Sequence, residues 1–349
     1  LSGGIDSNVI LNCIMNKNFS KINTCSVIDQ DRRYDESKLI NIATKNKNFN
    51  EIKIDGYLIN NYDFVEALEK RINFYSAPVL TATSYVSSFL QKRISEENIR
   101  VNLSGIGSDE IFSGYYQHHS YFLKSTKNKD EFKNNLRLWK KNIYPYLRNP
   151  FLKDEKKFIK KKNFFIKSLL NYEANPGLKK VLKNYKYLFR EKKFSSNFLK
   201  NRMYNEIFYE NIPTMLFEDD RNHMFYSIEN RSPFLDKDLV EFAMSLPPDY
   251  LIKNGYSKYI LRDCFKNKID NRILFNKEKK GFNFNLIETV FENKNFDNIM
   301  SILEDKTNQL YEFVNFNQLN KILHKTKHLN SESKFIFSAI NAAIFFKKL

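Results

Sequence analysis

The segment SGGIDS at positions 2–7, followed by the apolar helix start Val9, Ile10 and Leu11, is the feature that most constrains the fold. Two adjacent glycines let the backbone approach a ligand closely. The following helix points its free N–H groups and its positive dipole end back at the loop. Such a turn suits a polyanion such as pyrophosphate, and Asp6 can hold a Mg²⁺ that bridges phosphate oxygens. A plain strand-to-helix turn is the alternative, and no GK[ST] follows to make a Walker A loop.

Short β-like runs alternate with helix-length stretches early in the chain. The runs are 23–28 (NTCSVI), 51–55 (EIKID) and 99–105 (IRVNLSG), and the stretches between them include 35–47 and 82–94. This alternation predicts an α/β fold with a parallel sheet flanked by helices. Ligands of such sheets bind at the carboxyl ends of the strands, so we expect the glycine-bearing loops at that edge.

A second glycine loop, LSGIGSDEIFSGYYQHH at 103–119, follows the third run. Its turn contains Ser104, Gly105 and Gly107. Two adjacent carboxylates follow, Asp109 and Glu110. Asp109 can give a second protein oxygen to the Mg²⁺ that Asp6 binds, and a divalent ion between two carboxylates and a pyrophosphate neutralises a leaving group. The alternative is an acidic pair that caps a helix.

The segment GYSKYILRDCF at 255–265 places Lys258 and Arg262 four residues apart, so both are expected on one helix face. Two cations at this spacing repel each other unless an anion lies between them. Two solvated basic residues are the alternative explanation.

The length of 349 residues and the 42% hydrophobic content allow a large buried core. We expect a nucleotide-binding α/β core at 1–120, a Lys/Asn-rich helical insertion at 121–200, and a mostly helical part at 201–349 that completes the active site. No apolar run approaches the roughly 20 residues that span a bilayer. The three cysteines form no CxxC pair, which is typical of a reducing cytosol. We therefore expect a cytoplasmic protein with no membrane partner.

The charge balance is basic, because 57 Lys and Arg minus 40 Asp and Glu gives +17. A nucleic-acid partner is one interpretation of such a charge. The basic residues are spread along the chain, however, and this favours solvated lysines over a nucleic-acid site.

Together these motifs resemble the synthetase domain of the glutamine-dependent asparagine synthetases, in the PP-loop superfamily of N-type ATP pyrophosphatases. SGGIDS is similar to the PP-loop, and 103–119 is similar to the second nucleotide motif, LSGxGxDExFxGY. The segment DDRNHMFYSIENRSPFLDKDLVEF at 219–242 resembles the family pattern DR…M…(V/I)E.R.PFLD. The segments 255–265 and KEKKGFNF at 277–284 match the elements G..K..LR and KxGF. The resemblance runs from residue 1 to about residue 284, with the motifs in the family's order.

The resemblance implies an adenine nucleotide alpha-hydrolase-like fold with ATP and Mg²⁺ as cofactors. It implies amidation of a carboxylate, aspartate to asparagine, through an acyl-adenylate with release of AMP and pyrophosphate. Ammonia would come from glutamine through a glutaminase domain that this chain lacks, so we expect the chain to be part of a longer protein. The resemblance leaves open whether the chain forms a homodimer.

The resemblance also implies roles for individual residues. The nucleotide-binding positions fall on Leu1, Ser2, Gly3, Gly4, Asp6, Ser7, Val27, Ser104 and Gly105. The metal-binding positions fall on Asp6 and Asp109, and the catalytic positions fall on Lys258, Glu229, Arg262 and Glu110. Lys258 is expected to contact phosphate and to stabilise charge in the adenylation transition state.

One position departs from the family pattern. Ile106 stands where asparagine-forming members commonly carry an acidic residue, proposed to assist formation or aminolysis of the acyl-adenylate. Either Glu110 or Glu229 covers that role, or the acceptor is another carboxylate, such as that of a surface sugar or a secondary metabolite. Ordinary loop variation is the third explanation.

Two other functions are disfavoured. A tRNA-modifying PP-loop enzyme would lack the ENRSPFLD segment. A degenerate chain without activity would not be expected to keep SGGIDS, Asp109 and Lys258 intact.

Overall fold

The computed structural model describes residues 1–17, 19, 21–32, 34–56, 59, 62–147, 150–155, 178, 180–183, 191–278 and 296–348. Helices dominate. Those before residue 156 are α1 (Ile5–Met15), α2 (Ser37–Thr44), α3 (Phe64–Tyr75), α4 (Ala82–Glu96), α5 (Ser108–Ile111), α6 (Tyr116–Ser125), α7 (Lys129–Asn142) and α8 (Pro150–Lys153). Short 3₁₀ turns cover Tyr144–Tyr146 and Pro233–Leu235.

The second half of the chain is also mainly helical. Its helices are α9 (Phe198–Phe208), α10 (Asn211–Met224), α11 (Lys237–Ser245), α12 (Pro248–Leu251), α13 (Tyr259–Cys264), α14 (Asn271–Leu274), α15 (Phe296–Glu304), α16 (Leu310–Phe313), α17 (Phe316–Leu323) and α18 (Asn330–Phe346). None of the described helices is both long enough and apolar enough to cross a bilayer.

The strands form small sheets. β1 (Ile22–Ile28) pairs in parallel with β2 (Phe49–Asp55), and β3 (Val101–Leu103) pairs in parallel with β4 (Glu229–Arg231). β5 (Ile252–Lys253) and β6 (Tyr256–Ser257) form an antiparallel hairpin. The α/β prediction is thus confirmed as a helix-rich fold with small parallel sheets. Within the described residues the strands are joined only in pairs, so the broader flanked sheet is weakly developed.

Local sequence explains why the main helices begin where they do. The Asp63 carboxylate accepts from the Glu66 N–H at the start of α3, and the Thr81 hydroxyl accepts from the Ser84 N–H at the start of α4. The Asn128 side chain accepts from two N–H groups of α7. Each cap satisfies donors that the first helical turn leaves unpaired.

Two hydrophobic cores hold these elements together. One packs α3 and α4 against the C-terminal helices, with Phe64, Tyr85 and Phe337 at its centre. The other underlies both glycine loops, and its members from successive elements are Ile5, Val9, Ile111, Phe112, Trp139, Leu199, Met203, Phe234, Leu251 and Leu274. Because this second core joins α1, α5 and α13, it fixes the relative positions of the loops that adjoin them.

Two expectations for later segments need comment. The spacing of apolar residues predicts one buried helical side, formed by Leu235, Leu239, Val240, Phe242 and Leu246, and Pro247 and Pro248 predict the end of that helix. α11 does end before Pro247, but Phe242 is 52% exposed and Ala243 is buried instead. Most of the Lys/Asn-rich stretch beyond residue 155, and the KxGF element beyond residue 278, lie outside the described residues.

Candidate active site

The first glycine loop is closed by its own side chains at the start of α1. The Ser2 N–H donates to Ser7 Oγ at 3.0 Å, and the Gly4 N–H donates to Ser2 Oγ at 3.2 Å. The buried amide of Asn8 donates to the carbonyls of Ser2 (3.0 Å) and Gly4 (2.7 Å). These contacts hold a short turn in front of the helix N-terminus, where the positive end of the dipole favours an anion.

The second glycine loop touches the first one. A Cβ added at Gly105 would lie 3.1 Å from the Asp6 Cβ, so the two backbones approach closely there. The Ser108 hydroxyl donates to Asp6 Oδ1 at 2.7 Å. Gly107 has a φ of +95° at the entry to α5, a conformation that L side chains rarely adopt. The loops therefore meet at Asp6, at the carboxyl end of β3.

Lys258 lies between the two aspartates. Its Nζ is 2.5 Å from Asp6 Oδ1 and 2.6 Å from Asp109 Oδ1, and the residue is only 4% exposed. Burial lowers the pKa of this ammonium, but the carboxylates of Asp109 and Asp6 more than offset it, so the pKa lies above the ordinary lysine value. The charged form is thus held in place inside the site.

The backbone around Lys258 is also unusual. Lys258 precedes α13 with a φ of +52°, in the left-handed region that non-glycine residues seldom occupy. Gly114 borders the ion pairs, because an added Cβ would lie 1.8 Å from Asp109 Oδ1 and 2.3 Å from Lys258 Cε. Strained backbone of this kind concentrates at functional sites.

Arg262 reaches the same site from the last turn of α13. Its Nε donates to the Ser257 carbonyl at 2.7 Å, and a terminal nitrogen donates to the Leu274 carbonyl. Burial lowers the pKa of this guanidinium to about 10. The expectation that Lys258 and Arg262 share one helix face is wrong, since Lys258 stands before the helix. The two cations converge on one cavity all the same.

That cavity has a volume of about 260 Å³. The residues expected at the site that line it are Ser2, Gly3, Gly4, Asp6, Asp109, Lys258 and Arg262. The sequence interpretation missed Glu36, Gly114, Tyr116, Tyr256 and Lys277, which line it as well. Glu36 had a usable signal, because it lies in the polar run after the first strand, where ligands of parallel sheets bind. Tyr256 and Lys277 lie inside the quoted segments 255–265 and 277–284, but at positions that the family elements G..K..LR and KxGF leave unspecified.

Glu36 contacts the first glycine loop directly. The Gly3 N–H donates to Glu36 Oε2 at 3.3 Å, so a carboxylate occupies one of the backbone donors expected to bind phosphate. Glu36 immediately precedes α2 at the rim of the cavity.

The remaining expected residues lie around the cavity rather than in its lining. Ser7 braces the loop from within, and the Leu1 carbonyl accepts from the Ser26 hydroxyl of β1 at 2.8 Å, beside Val27. The Ser104 N–H donates to the Arg231 carbonyl at 2.8 Å, which extends the β3–β4 pairing into the second loop.

The two glutamates offered in place of an acidic residue at position 106 differ in setting. Glu110 is 1% exposed and accepts from the Tyr115 hydroxyl at 2.5 Å. Burial and the neighbouring Asp109 raise its pKa. Glu229 begins β4, is half-exposed and pairs with Arg231. Neither is among the residues that line the cavity, and the Glu110 carboxylate accepts from Tyr115 and from the Asn211 side chain instead.

The donor set suits a hard cation. Asp6 and Asp109 bring carboxylate oxygens close to one point, and the Lys258 ammonium lies between them. No cluster of three or more potential metal ligands occurs within the described residues. Mg²⁺ commonly takes one or two protein carboxylates and completes its shell with water and substrate phosphates. The pair therefore fits a Mg²⁺ that arrives with a nucleotide.

Comparison with known proteins identifies the family. The sequence model of the asparagine synthase family matches residues 1–342. The chain is 26% identical over 300 residues to glutamine-hydrolyzing asparagine synthetase 1 of Bacillus subtilis (strain 168), an alignment that covers 81% of this chain and 45% of that protein. It is 29% identical over 119 residues to a provisionally named glutamine-hydrolyzing asparagine synthetase 2 of Methanocaldococcus jannaschii, covering 34% of this chain and 22% of that protein.

Those alignments span less than half the length of either curated relative. The family match, by contrast, takes in both glycine loops, Lys258 and nearly all of the chain. The chain belongs to the asparagine synthase family.

Proposed function

We propose that this chain catalyses ATP-dependent amidation of a carboxylate, aspartate to asparagine, through an acyl-adenylate. The observation that carries the proposal is the meeting of Asp6, Asp109 and Lys258 at the mouth of the first glycine loop. One cavity thereby combines a phosphate-binding turn, a carboxylate pair for a divalent cation, and a buried cation for the reacting phosphorus.

Each group has a role in adenylation. The 2–4 turn and the start of α1 bind the pyrophosphate portion of ATP, which takes the Gly3 N–H from Glu36 and the Gly4 N–H from the Ser2 hydroxyl. Asp6 and Asp109 hold Mg²⁺, which neutralises charge on the phosphate oxygens when it is bound. Lys258 and Arg262 stabilise the negative charge that develops at the α-phosphorus. Groups of this kind typically contribute a few kcal/mol each.

The chemistry balances in two steps. A carboxylate oxygen of the acceptor bonds to the α-phosphorus. The bond from that phosphorus to the oxygen that bridges the α- and β-phosphorus atoms breaks, and pyrophosphate is released. Ammonia then bonds to the acyl carbon, the bond to the AMP oxygen breaks, and a proton is lost as the amide forms. The source of ammonia in this proposal is a glutaminase domain, because both curated relatives are named as glutamine-hydrolyzing.

Ile106 favours a second candidate acceptor. It is an apolar side chain in the turn between β3 and α5, the turn that also contains Gly105 and Gly107. An acceptor that needs no acidic partner there, such as a sugar or metabolite carboxylate, would react by the same two steps.

The test is carboxylate-dependent ATP–pyrophosphate exchange. We expect aspartate to support exchange, and a panel of sugar acids and other amino acids identifies the acceptor if aspartate does not. Asp6→Asn and Lys258→Ala are expected to abolish exchange. Asp263→Asn, which alters an exposed carboxylate of α13 outside the cavity, is expected to keep it. Exchange in either cavity variant at the rate of the unaltered chain would refute the assigned roles.

A further inference from the structure

Three cations and four carboxylates line the cavity, the carboxylates being those of Asp6, Glu36, Asp109 and Glu278, and among the ion pairs of the described residues only Lys258 contacts any of them. Lys258, Arg262 and Lys277 all line it. The charge of Lys258 is already matched by Asp6 and Asp109 at 2.5 and 2.6 Å. Arg262 and Lys277 are held differently, and their charge is available to a ligand.

Tyr256 organises these two cations. The Lys277 Nζ lies 4.9 Å from the centre of the Tyr256 ring, and the Arg262 Cζ lies 5.5 Å from it. The ring itself packs edge-to-face on Phe275 with centres 5.7 Å apart. Cations over an aromatic face are attracted by its quadrupole without losing their charge.

The hydrogen-bond acceptors that both cations contact are neutral. Lys277 Nζ donates to Asn142 Oδ1 at 2.7 Å, and Arg262 donates to the carbonyls of Ser257 and Leu274. Within the part of the chain that the structure describes, neither cation forms an ion pair. An ammonium has three donors and a guanidinium five, so both keep donors beyond those contacts.

Neighbouring residues hold both the backbone and the side chain of Lys277. The Tyr116 hydroxyl donates to the Lys277 carbonyl at 2.9 Å, which fixes the backbone. Asn142, at the end of α7 and 6% exposed, also donates to the Asn254 carbonyl of the hairpin turn at 3.3 Å. Asn142 is thus a positioning residue that ties Lys277 to the β5–β6 hairpin.

We propose that Lys277 and Arg262, both over the ring of Tyr256, form an oxyanion subsite distinct from the Asp6–Asp109–Lys258 cluster. Its ligand is a singly or multiply charged oxyanion, either the acceptor's carboxylate or a phosphate of ATP. This inference rests on the proposed function, because it assigns a further part of the same cavity.

The test compares Lys277→Met with the unaltered chain in two arms. One arm measures binding of Mg²⁺ with α,β-methylene-ATP by calorimetry, without acceptor. The other measures the acceptor KM in pyrophosphate exchange. We expect about a tenfold loss in one arm, as for a charge-assisted contact, with kcat within about twofold. The affected arm identifies the oxyanion, and Lys277→Arg should restore much of the loss.

Two further variants make the test specific. Lys253→Met removes a lysine of the β5–β6 hairpin that lies outside the cavity. Its Nζ, like that of Lys277, lies over an aromatic ring, 5.3 Å from the centre of the Tyr259 ring. This variant should change neither arm. Asn142→Asp keeps the side-chain size but places a carboxylate beside Lys277, which neutralises the lysine's charge. We therefore expect it to weaken binding in the same arm as Lys277→Met.

The proposal would be overturned if Lys277→Met kept both its nucleotide affinity and its acceptor KM within twofold of the unaltered chain. The same loss in Lys253→Met would overturn it too, because the effect would then be general charge. Failure of the proposed function looks different. The unaltered chain would show no exchange with any carboxylate, while the nucleotide arm would still report on Lys277.

Discussion

At the scale of single residues, Lys258 is the centre of the site. Its ammonium contacts two carboxylates that come from separate loops, and it does so from a left-handed backbone position. A cation placed there competes directly with any divalent ion that seeks the same oxygens. The residue therefore has a role in the ligand-free site as well as in the proposed chemistry.

Replacing Lys258 with methionine should tighten divalent cation binding. Without the ammonium, Asp6 and Asp109 are left with unneutralised charge, and we expect Mn²⁺ to bind several-fold to about tenfold more tightly in the absence of nucleotide. Titration followed by electron paramagnetic resonance measures this. Lys277→Met, which removes a cavity cation that touches neither carboxylate, is the matched control and should leave Mn²⁺ affinity within twofold. Unchanged or weaker binding in Lys258→Met would contradict the competition.

Gly114 is the residue where a single methyl group should do most harm. The added Cβ of Gly114→Ala would collide with Asp109 Oδ1 and Lys258 Cε. We expect at least a hundredfold loss of exchange and a destabilisation of about 1–3 kcal/mol, as for overpacking. Chemical denaturation and exchange assays measure the two effects. Gly56→Ala, whose Cβ would meet no atom nearer than 3.1 Å, should be far milder, and equal effects would count against this explanation.

At the scale of secondary-structure elements, the β5–β6 hairpin positions Lys258. Its turn contains Asn254 and Gly255, and Lys258 follows β6 immediately. Gly255 has a φ of +76°, and a Cβ there would lie 2.4 Å from Asn142 Nδ2. The turn and α7 are therefore packed against each other just where the hairpin aims Tyr256 and Lys258 into the cavity.

Gly255→Ala should disturb this delivery. The positive φ and the contact with Asn142 both oppose a side chain, so we expect a loss of at least about 1 kcal/mol in unfolding free energy together with lower exchange activity. Asn254→Gly is the control in the same turn. Asn254 has a φ of +53° that glycine adopts freely, and its carbonyl contact survives the change. Loss of activity in the control alone would contradict the argument.

Sequence patterns located the glycine loops and the first strands because local spacing carries that information. They placed β1 and β2 nearly correctly and anticipated that Asp6 and Asp109 would meet. They did not show β4, since three residues are too few to display alternation. They also missed that Lys258 lies between the aspartates, because that contact joins positions 252 residues apart and depends on the packing of the second core.

At the scale of the whole molecule, a buried ionic cluster braces the part of the fold behind the second loop. Arg202, 1% exposed, contacts Glu206 at 3.0 Å and Glu191 at 3.2 Å and also pairs with Glu210. His118 Nε2 lies 2.7 Å from Glu206 Oε2. Burial raises the pKa of Glu206, but His118 and Arg202 outweigh it, so the folded-state pKa is lowered. Its contribution to stability is present above the ordinary glutamate pKa and is lost as pH falls through the folded-state value.

Arg202→Met should therefore destabilise the fold strongly. Removing one partner leaves buried carboxylates uncompensated, and we expect a loss of about 3–5 kcal/mol in urea denaturation at neutral pH. Arg272→Met removes an exposed partner of Asp270 and should leave the free energy of unfolding nearly unchanged. Equal losses in the two variants would mean that the cluster contributes no more than a surface ion pair.

We propose above all that both glycine loops and Lys258 close around one magnesium-bound triphosphate. Anomalous diffraction from crystals holding Mn²⁺ and α,β-methylene-ATP tests this most directly. The account predicts a manganese peak within about 2.0–2.3 Å of carboxylate oxygens of both Asp6 and Asp109, with phosphates on the Ser2–Gly4 backbone. A manganese peak bound to neither aspartate, with the phosphates away from the first loop, would contradict it.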